Sequence, residues 1–340
     1  MKLWLDKGVW SSKKAKQKAS NLSIEKIQSI GVIKHAALGD LMLTRPFLIT
    51  LRQYFPNANI TLSISSNYTR GAPVDLVDHV HITNNSNKKS SLKKQIENYK
   101  EFGYFDLVFD LTATTRSFML CFFNKASLRV GFKHRNIHKF LYDVAVCRTV
   151  YKFEAETFLD LLGTLGLDYD WPLSFGLTKK EPIFDEPYIV IFPTASINYK
   201  CWPTQHFVEL INKMAKTIKN HKIVLLTGIS TWEKDIATDI MQCINNPDKV
   251  FLLEGVKKTE NNVADTEESC IANADLVICN DTGIRNMAIA YHTPTVGLFM
   301  ATLPHRYYPR FDKHAVVFDI SGQPPSVDKA LEATMKIIKL

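Results

Sequence analysis

Residues 188–227 read YIVIFPTASINYKCWPTQHFVELINKMAKTIKNHKIVLLT. Two apolar runs typical of buried strands, Tyr188–Phe192 and Ile223–Thr227, enclose this stretch. Between them, Pro203 stands where the first turn of a helix begins, and apolar residues then recur every three or four positions along one helical face. A strand, a helix and a second strand joined by short connections predict a parallel, doubly wound sheet.

The same alternation extends in both directions along the chain. Short apolar runs that indicate further strands occur at Gly31–Lys34, Ile60–Ile64, Leu107–Leu111, Arg129–Phe132, Val250–Leu253, Leu276–Cys279 and Thr295–Phe299. A length of 340 residues suffices for two domains of about 150 residues each. The sequence therefore predicts an α/β protein with two Rossmann-like, doubly wound domains.

Proline and glycine residues interrupt the periodicity within Asp168–Pro187, and we expect the domain boundary there. The chain then divides into a basic N-terminal arm over residues 1–26, a first domain over 27–176, a second domain over 177–325 and a terminal helix over 326–340. The arm holds seven lysines and two acidic residues. Such an arm is compatible with a solvated leader or with contact to anionic lipid headgroups, and no nucleic-acid-binding signature accompanies it.

The composition is that of a soluble globular protein, with 46% apolar and 22% charged residues. No apolar run approaches the roughly 20 residues of a membrane-spanning helix, and we expect no secretory signal. The six cysteines show no CxxC pair, as free thiols in a reducing compartment would. A cytoplasmic location is the expectation that follows.

Ligands of open α/β sheets bind beyond the carboxyl ends of the strands. The first such place is the segment His35–Asp40, which follows the first strand and precedes a helix. Asp40 is either the cap of that helix or a general base that takes a proton from a substrate hydroxyl. Gly39 permits close approach of a ligand or of another backbone segment.

A second place follows Phe192, where Thr194, Ser196 and Lys200 precede a helix. Hydroxyls, one ammonium group and the N–H groups of a helix N-terminus suit a phosphate. The alternative is a solvent-facing lysine in an ordinary loop.

A third place follows Cys279, where the segment Asp281–Gly283 enters another helix. Here Asp281, Thr282 and Gly283 either bind a diphosphate and sugar hydroxyls or form a simple helix cap. Glu233, early in a further helix, is either an acceptor for ribose hydroxyls or an acid favoured by the helix dipole.

Taken in order, these segments resemble the heptosyltransferase family of inverting glycosyltransferases, over roughly residues 30 to 310. The motifs that carry the resemblance are Ile33–Asp40 with Leu43–Pro46, Asp106–Asp110, Arg129–Gly131, Glu154–Gly166, Lys200 with Trp202 and Pro203, Asn280–Gly283 with Ala288 and Ala290, and Pro294–Phe299.

The resemblance implies a GT-B architecture, in which two Rossmann-like domains face a central cleft. It implies an ADP-heptose donor and a lipid A–Kdo or core oligosaccharide acceptor at the cytoplasmic face of the inner membrane, where the protein would be peripheral. By position, Asp40 would be the base, Lys200 and Asp281–Gly283 would hold the diphosphate and sugar, and Glu233 the ribose. The terminal helix would return to the first domain.

No cofactor or metal is expected, because Lys200 and helix N–H groups can meet the diphosphate charge. Three arginines of the first domain suit an anionic acceptor, and these are Arg116, Arg129 and Arg135. The alternative for these arginines is a solvated basic face.

Two positions depart from the family pattern. The family usually has histidine where this chain has Asn286, a donor-side position, and also where it has Phe153. These replacements put the donor sugar or the acceptor in question. They keep two alternatives open, a nonenzymatic nucleotide-sugar or glycolipid-binding protein and a sugar-nucleotide epimerase.

Overall fold

The computed structural model describes residues 1–66, 71–83, 91–254 and 264–338. The chain forms two compact units, Met1–Gly176 and Leu177–Leu340. Each unit contains one β-sheet and the helices that lie between and after its strands in the chain. This confirms the predicted α/β class with two Rossmann-like domains.

The sheet of the first unit has the strand order β1-β7-β6-β5-β2-β3-β4. Its strands are β1 (Val9–Ser11), β2 (Ser29–Ile33), β3 (Asn59–Ser65), β4 (His79–Thr83), β5 (Phe105–Asp110), β6 (Ala126–Phe132) and β7 (Val144–Val146). Its helices are α1 (Ala15–Ser20), α2 (Leu38–Met42), α3 (Arg45–Tyr54), α4 (Leu92–Lys100), α5 (Thr115–Phe123), α6 (His138–Leu141) and α7 (Glu154–Gly163). All described pairings are parallel except that of β1 with β7.

The sheet of the second unit is parallel throughout its described strands, in the order β10-β9-β8-β11-β12-β13. Its strands are β8 (Tyr188–Phe192), β9 (Lys222–Leu226), β10 (Val250–Leu253), β11 (Leu276–Asn280), β12 (Thr295–Phe299) and β13 (His314–Phe318). Its helices are α8 (Thr204–Thr217), α9 (Thr231–Cys243), α10 (Ala264–Ala272), α11 (Gly283–Ala290) and α12 (Val327–Ile338).

The N-terminal arm is folded into the first unit, which corrects the expectation of a separate leader over residues 1–26. Val9 pairs with Val146 across β1 and β7, and the Trp4 amide donates to the Thr164 carbonyl at 2.8 Å. The many lysines of this segment suggest a solvated arm, and a strand of only three residues is too short for its pattern to be recognised in the sequence.

The terminal helix α12 packs on its own unit, which corrects the expectation that it returns to the first domain. It lies against α8 and the strands β11, β12 and β13. Val327 and Ala330 are buried in the apolar core of the second unit. The apolar stripe of the helix indicates burial, but a periodic pattern alone does not identify the surface that covers it.

Within the described part of the chain, no helix combines the length and the apolar character that crossing a bilayer demands.

In the first unit, a close contact with Gly131 holds the ring of Tyr142, whose hydroxyl bonds to Asp110. Gly131 lies in β6 directly against the ring of Tyr142, and a Cβ atom at this position would stand 2.6 Å from the ring. The Tyr142 hydroxyl donates to Asp110 Oδ2 at 2.6 Å. Gly131 thus leaves room for the ring that makes this buried hydrogen bond.

We expect Gly131→Ala to lower the free energy of unfolding by about 1–3 kcal/mol, because the new methyl group forces the Tyr142 ring aside. Urea denaturation measures the change. The matched control is Gly163→Ala, since Gly163 ends α7 and a Cβ added there would meet no atom within 4 Å, and alanine is the better helix former at that position. Equal stability of the two variants would contradict the tight packing of Tyr142.

Candidate active site

Asp40 lies in the first turn of α2, directly after β2. The helix cap is Ala37 rather than Asp40. Asp40 is partly exposed, and its carboxylate forms no hydrogen bond or ion pair with any other residue that the structure describes. Gly39 beside it is buried. The carboxylate is therefore available to a ligand at the carboxyl edge of this sheet.

A chain of polar side chains lies beneath the Asp40 loop, across the ends of β2, β3 and β4. His35 Nε2 lies 3.1 Å from Ser63 Oγ and 3.1 Å from Thr83 Oγ1. Ser63 Oγ lies 2.9 Å from His81 Nδ1, and His81 Nε2 lies 2.8 Å from the Asn98 carbonyl oxygen. The His35 amide also donates to Thr112 Oγ1 at 2.8 Å.

The Asn98 carbonyl determines the tautomer of His81. A carbonyl oxygen only accepts, so His81 Nε2 donates to it and neutral His81 accepts from the Ser63 hydroxyl at Nδ1. Ser63 has then used its proton, so its oxygen accepts from His35 Nε2 or from the Thr83 hydroxyl, which lies 3.1 Å away. His35 Nδ1 is buried and has no hydrogen-bond partner in the described structure.

Burial, followed by the nearby positive charge of Arg116, lowers the pKa of His35 to about 3. Burial also lowers the pKa of His81. Both rings are therefore neutral near pH 7. The segment that carries Asp40 begins at a rigid, uncharged imidazole.

The three predicted acceptor arginines lie on three different elements. Arg116 is in the first turn of α5 and close enough to His35 to affect its pKa. Arg135 is exposed in the turn after β6, with a φ of +47°. Arg129 lies within β6 and donates to the carbonyl of Asn124, which precedes that strand. Arg129 thus points away from the carboxyl edge, which argues against its predicted role.

The second unit joins two of its predicted donor-site loops through an ion pair. Lys200 Nζ lies 2.9 Å from Asp281 Oδ2, and both side chains are largely buried. Thr302, which follows β12, donates to the same carboxylate oxygen at 2.6 Å. Thr282 caps α11 and Gly283 opens it. A cation, a carboxylate, a hydroxyl and a helix N-terminus therefore meet at one edge of the sheet.

The buried amide of Asn280 holds these loops in place. Its Oδ1 accepts from the Trp202 amide at 2.9 Å, and its Nδ2 donates to the Pro193 carbonyl at 2.7 Å. Asn280 therefore fixes both ends of the segment that carries Lys200. The sequence motif contains Asn280, but its residue type alone does not reveal these two contacts.

Glu233 closes a capping box at the start of α9. Its Oε2 accepts from the Ser230 amide at 3.1 Å and from the Ser230 hydroxyl, and its Oε1 accepts from Thr194 Oγ1 at 3.3 Å. The carboxylate lies over Gly228, where a Cβ would stand 2.1 Å from it. The capping alternative is thus realised, and the carboxylate also lies beside buried Thr194. Of the remaining predicted residues, Ser196 is exposed in its loop and Asn286 is buried in α11.

Arg285 is a further residue of this region that the sequence pattern does not single out. Its side chain is 1% exposed, its guanidinium donates to the Tyr307 carbonyl, and it lies over the Phe299 ring at 5.3 Å. Burial lowers its pKa. By holding Tyr307, Arg285 anchors the segment from which Thr302 reaches Asp281. These contacts join residues about twenty positions apart, so no local motif announces them.

Two Rossmann-like units, of which the second gathers a lysine, a carboxylate and a helix N-terminus at its carboxyl edge, fit the GT-B class of glycosyltransferases. The model of glycosyltransferase family 9 (heptosyltransferase) matches residues 90–335. The chain belongs to this family, and the resemblance found in the sequence is confirmed.

Solved structures share this fold at low sequence identity. A family 9 glycosyltransferase from Veillonella parvula is 18% identical with a TM-score of 0.72, covering 94% of this chain and 99% of its own. E. coli heptosyltransferase WaaC, bound to ADP-2-deoxy-2-fluoro heptose, is 17% identical with a TM-score of 0.71, covering 92% and 99%. E. coli ADP-heptose LPS heptosyltransferase II is 19% identical with a TM-score of 0.64, covering 92% and 99%. No curated protein matches the sequence.

The lowered pKa of His35 has a consequence for stability. Between its folded pKa of about 3 and the ordinary value of 6.5, the unfolded chain binds a proton that the folded chain does not. The free energy of unfolding should therefore be undiminished above pH 6.5 and fall as the pH decreases below it. Buried His314, with a pKa also lowered to about 3, adds to the same slope.

We expect His35→Gln to make this decline shallower, because one of the titrating groups is gone. Urea denaturation at several pH values between 7.5 and 5, a range chosen around the roughly 6.5 of free histidine, measures the slope. His79→Gln is the control, since His79 is exposed at the start of β4. A slope in His35→Gln equal to that of the unaltered protein would contradict the neutral, buried imidazole.

Proposed function

We propose that this glycosyltransferase moves a heptose, or a related sugar, from an ADP-sugar to an inner-core acceptor of lipopolysaccharide such as lipid A–Kdo. The observation that carries the proposal is the meeting of Lys200, Asp281 and Thr302 beside the N-terminus of α11. The E. coli relatives WaaC and heptosyltransferase II support it, because WaaC is described with ADP and with an ADP-heptose analogue and the other is named for ADP-heptose. A lipid-linked acceptor implies a peripheral position at the inner membrane.

In the proposed donor site, Lys200 turns from Asp281 to the diphosphate, where a charge-assisted hydrogen bond is strong. The amides of Thr282 and Gly283 at the N-terminus of α11 also meet the phosphates. The released carboxylate of Asp281 accepts from sugar hydroxyls. Glu233, with Thr194 beside it, accepts from the ribose, and Ser196 in the exposed loop completes the phosphate contacts.

In the proposed reaction, Asp40 takes the proton of the acceptor hydroxyl while the hydroxyl oxygen attacks the anomeric carbon. The new carbon–oxygen bond forms as the bond from the anomeric carbon to the β-phosphate oxygen breaks, with inversion. ADP leaves with the electron pair, and Lys200 and the α11 amides stabilise its growing charge. The absence of a described partner for the Asp40 carboxylate supports this role.

The two departures from the family pattern bear on the sugar and the acceptor. Asn286 is 5% exposed in α11, and its amide hydrogen-bonds a sugar hydroxyl without carrying charge. Phe153 is 1% exposed, so it contributes apolar packing where the family usually has a titratable ring. The proposal therefore allows a sugar related to heptose. Family membership favours transfer over the epimerase and the nonenzymatic binder that the sequence left open.

We expect Asp40→Asn to lower turnover by at least about 10², because the amide cannot accept the proton, and to leave donor affinity unchanged. ADP release with an extracted core acceptor measures turnover, and calorimetry with ADP measures affinity. Asp239→Asn, an exposed change on α9, is the control. Undiminished turnover in Asp40→Asn would remove the proposed base, and equal ADP release without acceptor would favour an epimerase-like reaction.

We expect Lys200→Gln to weaken ADP binding about tenfold or more, since a hydrogen bond from an ammonium group to a phosphate contributes roughly 1.5–3 kcal/mol. Calorimetry with ADP gives the dissociation constant. Lys216→Gln changes an exposed lysine near the end of α8 and should bind ADP normally. Unchanged affinity in Lys200→Gln would contradict the proposed phosphate contact.

A further inference from the structure

Two neighbouring helices of the first unit expose large apolar side chains. The helices α5 and α6 pack against each other and bury Phe118 and Leu141 in one apolar cluster. Their outer sides present Phe140, which is 86% exposed, Phe122, which is 68% exposed, and Ile137, which is 43% exposed. We call these three side chains the α5–α6 surface. Large apolar side chains exposed on two packed helices indicate an interaction surface.

The segment that contributes most of this surface is positively charged. Residues 124–142 hold five Lys or Arg and two His and no acidic residue. Lys125, Arg135 and Lys139 are exposed, whereas His138 is buried and lies edge-on to Trp10 with ring centroids 5.3 Å apart. Arg135 and Lys139 are thus close neighbours in sequence of Ile137 and Phe140.

The folded N-terminal arm adds to this charge. Trp10 of β1 contacts His138, and α1 lies against β6. Asp143 is the first acid after the segment, and Lys18 pairs with it at 2.8 Å. Lys13, Lys14 and Lys16 remain exposed on the same arm. The arm therefore neutralises the nearest acid and leaves an excess of positive charge beside α6.

We propose that the α5–α6 surface docks on a bilayer of anionic phospholipid. Aromatic side chains partition to the headgroup level of a membrane, and apolar residues on a basic face insert into the interface. The exposed lysines and Arg135 contact lipid phosphates, and the arm supplies further charge. This deepens the proposed function by naming the surface that meets the membrane, and it rests on that function only for the identity of the acceptor.

The test measures partition of the full chain onto vesicles of phosphatidylethanolamine and phosphatidylglycerol by co-sedimentation. We expect Phe140→Ser to weaken partition about tenfold, because the bound protein would no longer bury the Phe140 ring in the headgroup region of the bilayer. Lys139→Gln should weaken it about fivefold, the effect of one cation near an anionic surface. Partition should also fall on vesicles of phosphatidylcholine and at a salt concentration of about 0.5 M.

Matched changes in the second unit control for loss of any exposed apolar or basic side chain. Ile320→Ser removes a side chain that is 96% exposed, and Lys216→Gln removes an exposed cation. Both should partition like the unaltered protein, and ADP affinity should be the same in every variant. If Phe140→Ser and Ile137→Ser each partition like the unaltered protein, the proposal is overturned. Equal partition of the unaltered protein onto phosphatidylcholine vesicles and onto anionic vesicles would also overturn it. Loss of single-stranded nucleic acid binding in these variants, with vesicle partition unchanged, would assign the surface to nucleic acid instead.

The vesicle measurement is independent of turnover. If no ADP-sugar is turned over while partition depends on Phe140 and Lys139, the proposed function fails and the docking surface stands. If turnover depends on Asp40 while partition ignores Phe140, the docking surface fails and the proposed function stands.

Discussion

The parallel pairing of β8 with β11 is the constraint on which the second unit depends. Ile191 pairs with Ile278 and Phe192 with Cys279, so both strands end at the same level. The loops that follow must then share one edge of the sheet. The buried Asn280 amide turns this proximity into a fixed geometry, because it bonds to both ends of the loop that carries Lys200. The ion pair of Lys200 with Asp281 follows from that arrangement.

The first unit carries a network of neutral side chains below the segment that leads to Asp40. These side chains are His35, Ser63, Thr83 and His81, which form hydrogen bonds with one another. Burial keeps the imidazoles uncharged, and the backbone carbonyl of Asn98 fixes the tautomer of His81. This hydrogen-bonded network lies at the start of the segment that leads to Asp40. The Asp40 carboxylate has no partner among the described residues. The two loops therefore differ, because Lys200 and Asp281 pair in one unit, whereas the Asp40 carboxylate of the other has no partner among the described residues.

Periodicity and strand-end chemistry made much of this predictable. Tyr188–Phe192 is found with its predicted bounds, and Leu107–Leu111 is found as Phe105–Asp110, because buried strands are continuous apolar runs. The Lys200 and Asp281 loops were identified because parallel strands present their carboxyl ends together. Thr302 and Arg285 could not be identified, since their roles depend on contacts between distant positions. The β1 strand was missed because three residues give too little periodicity, and the packing of α12 because an apolar stripe does not name its partner.

Glu233 illustrates how a residue can hold a helix and remain ready for a ligand. Its Oε2 accepts from Ser230, and its Oε1 accepts from the Thr194 hydroxyl at 3.3 Å and from no other group in the described ranges. The side chain has therefore already lost its rotational freedom in folding, a cost that a flexible glutamate would meet at the moment of association. A ligand hydroxyl that reaches Oε1 would exchange one donor for another, and the association would gain directional selectivity with little entropic penalty.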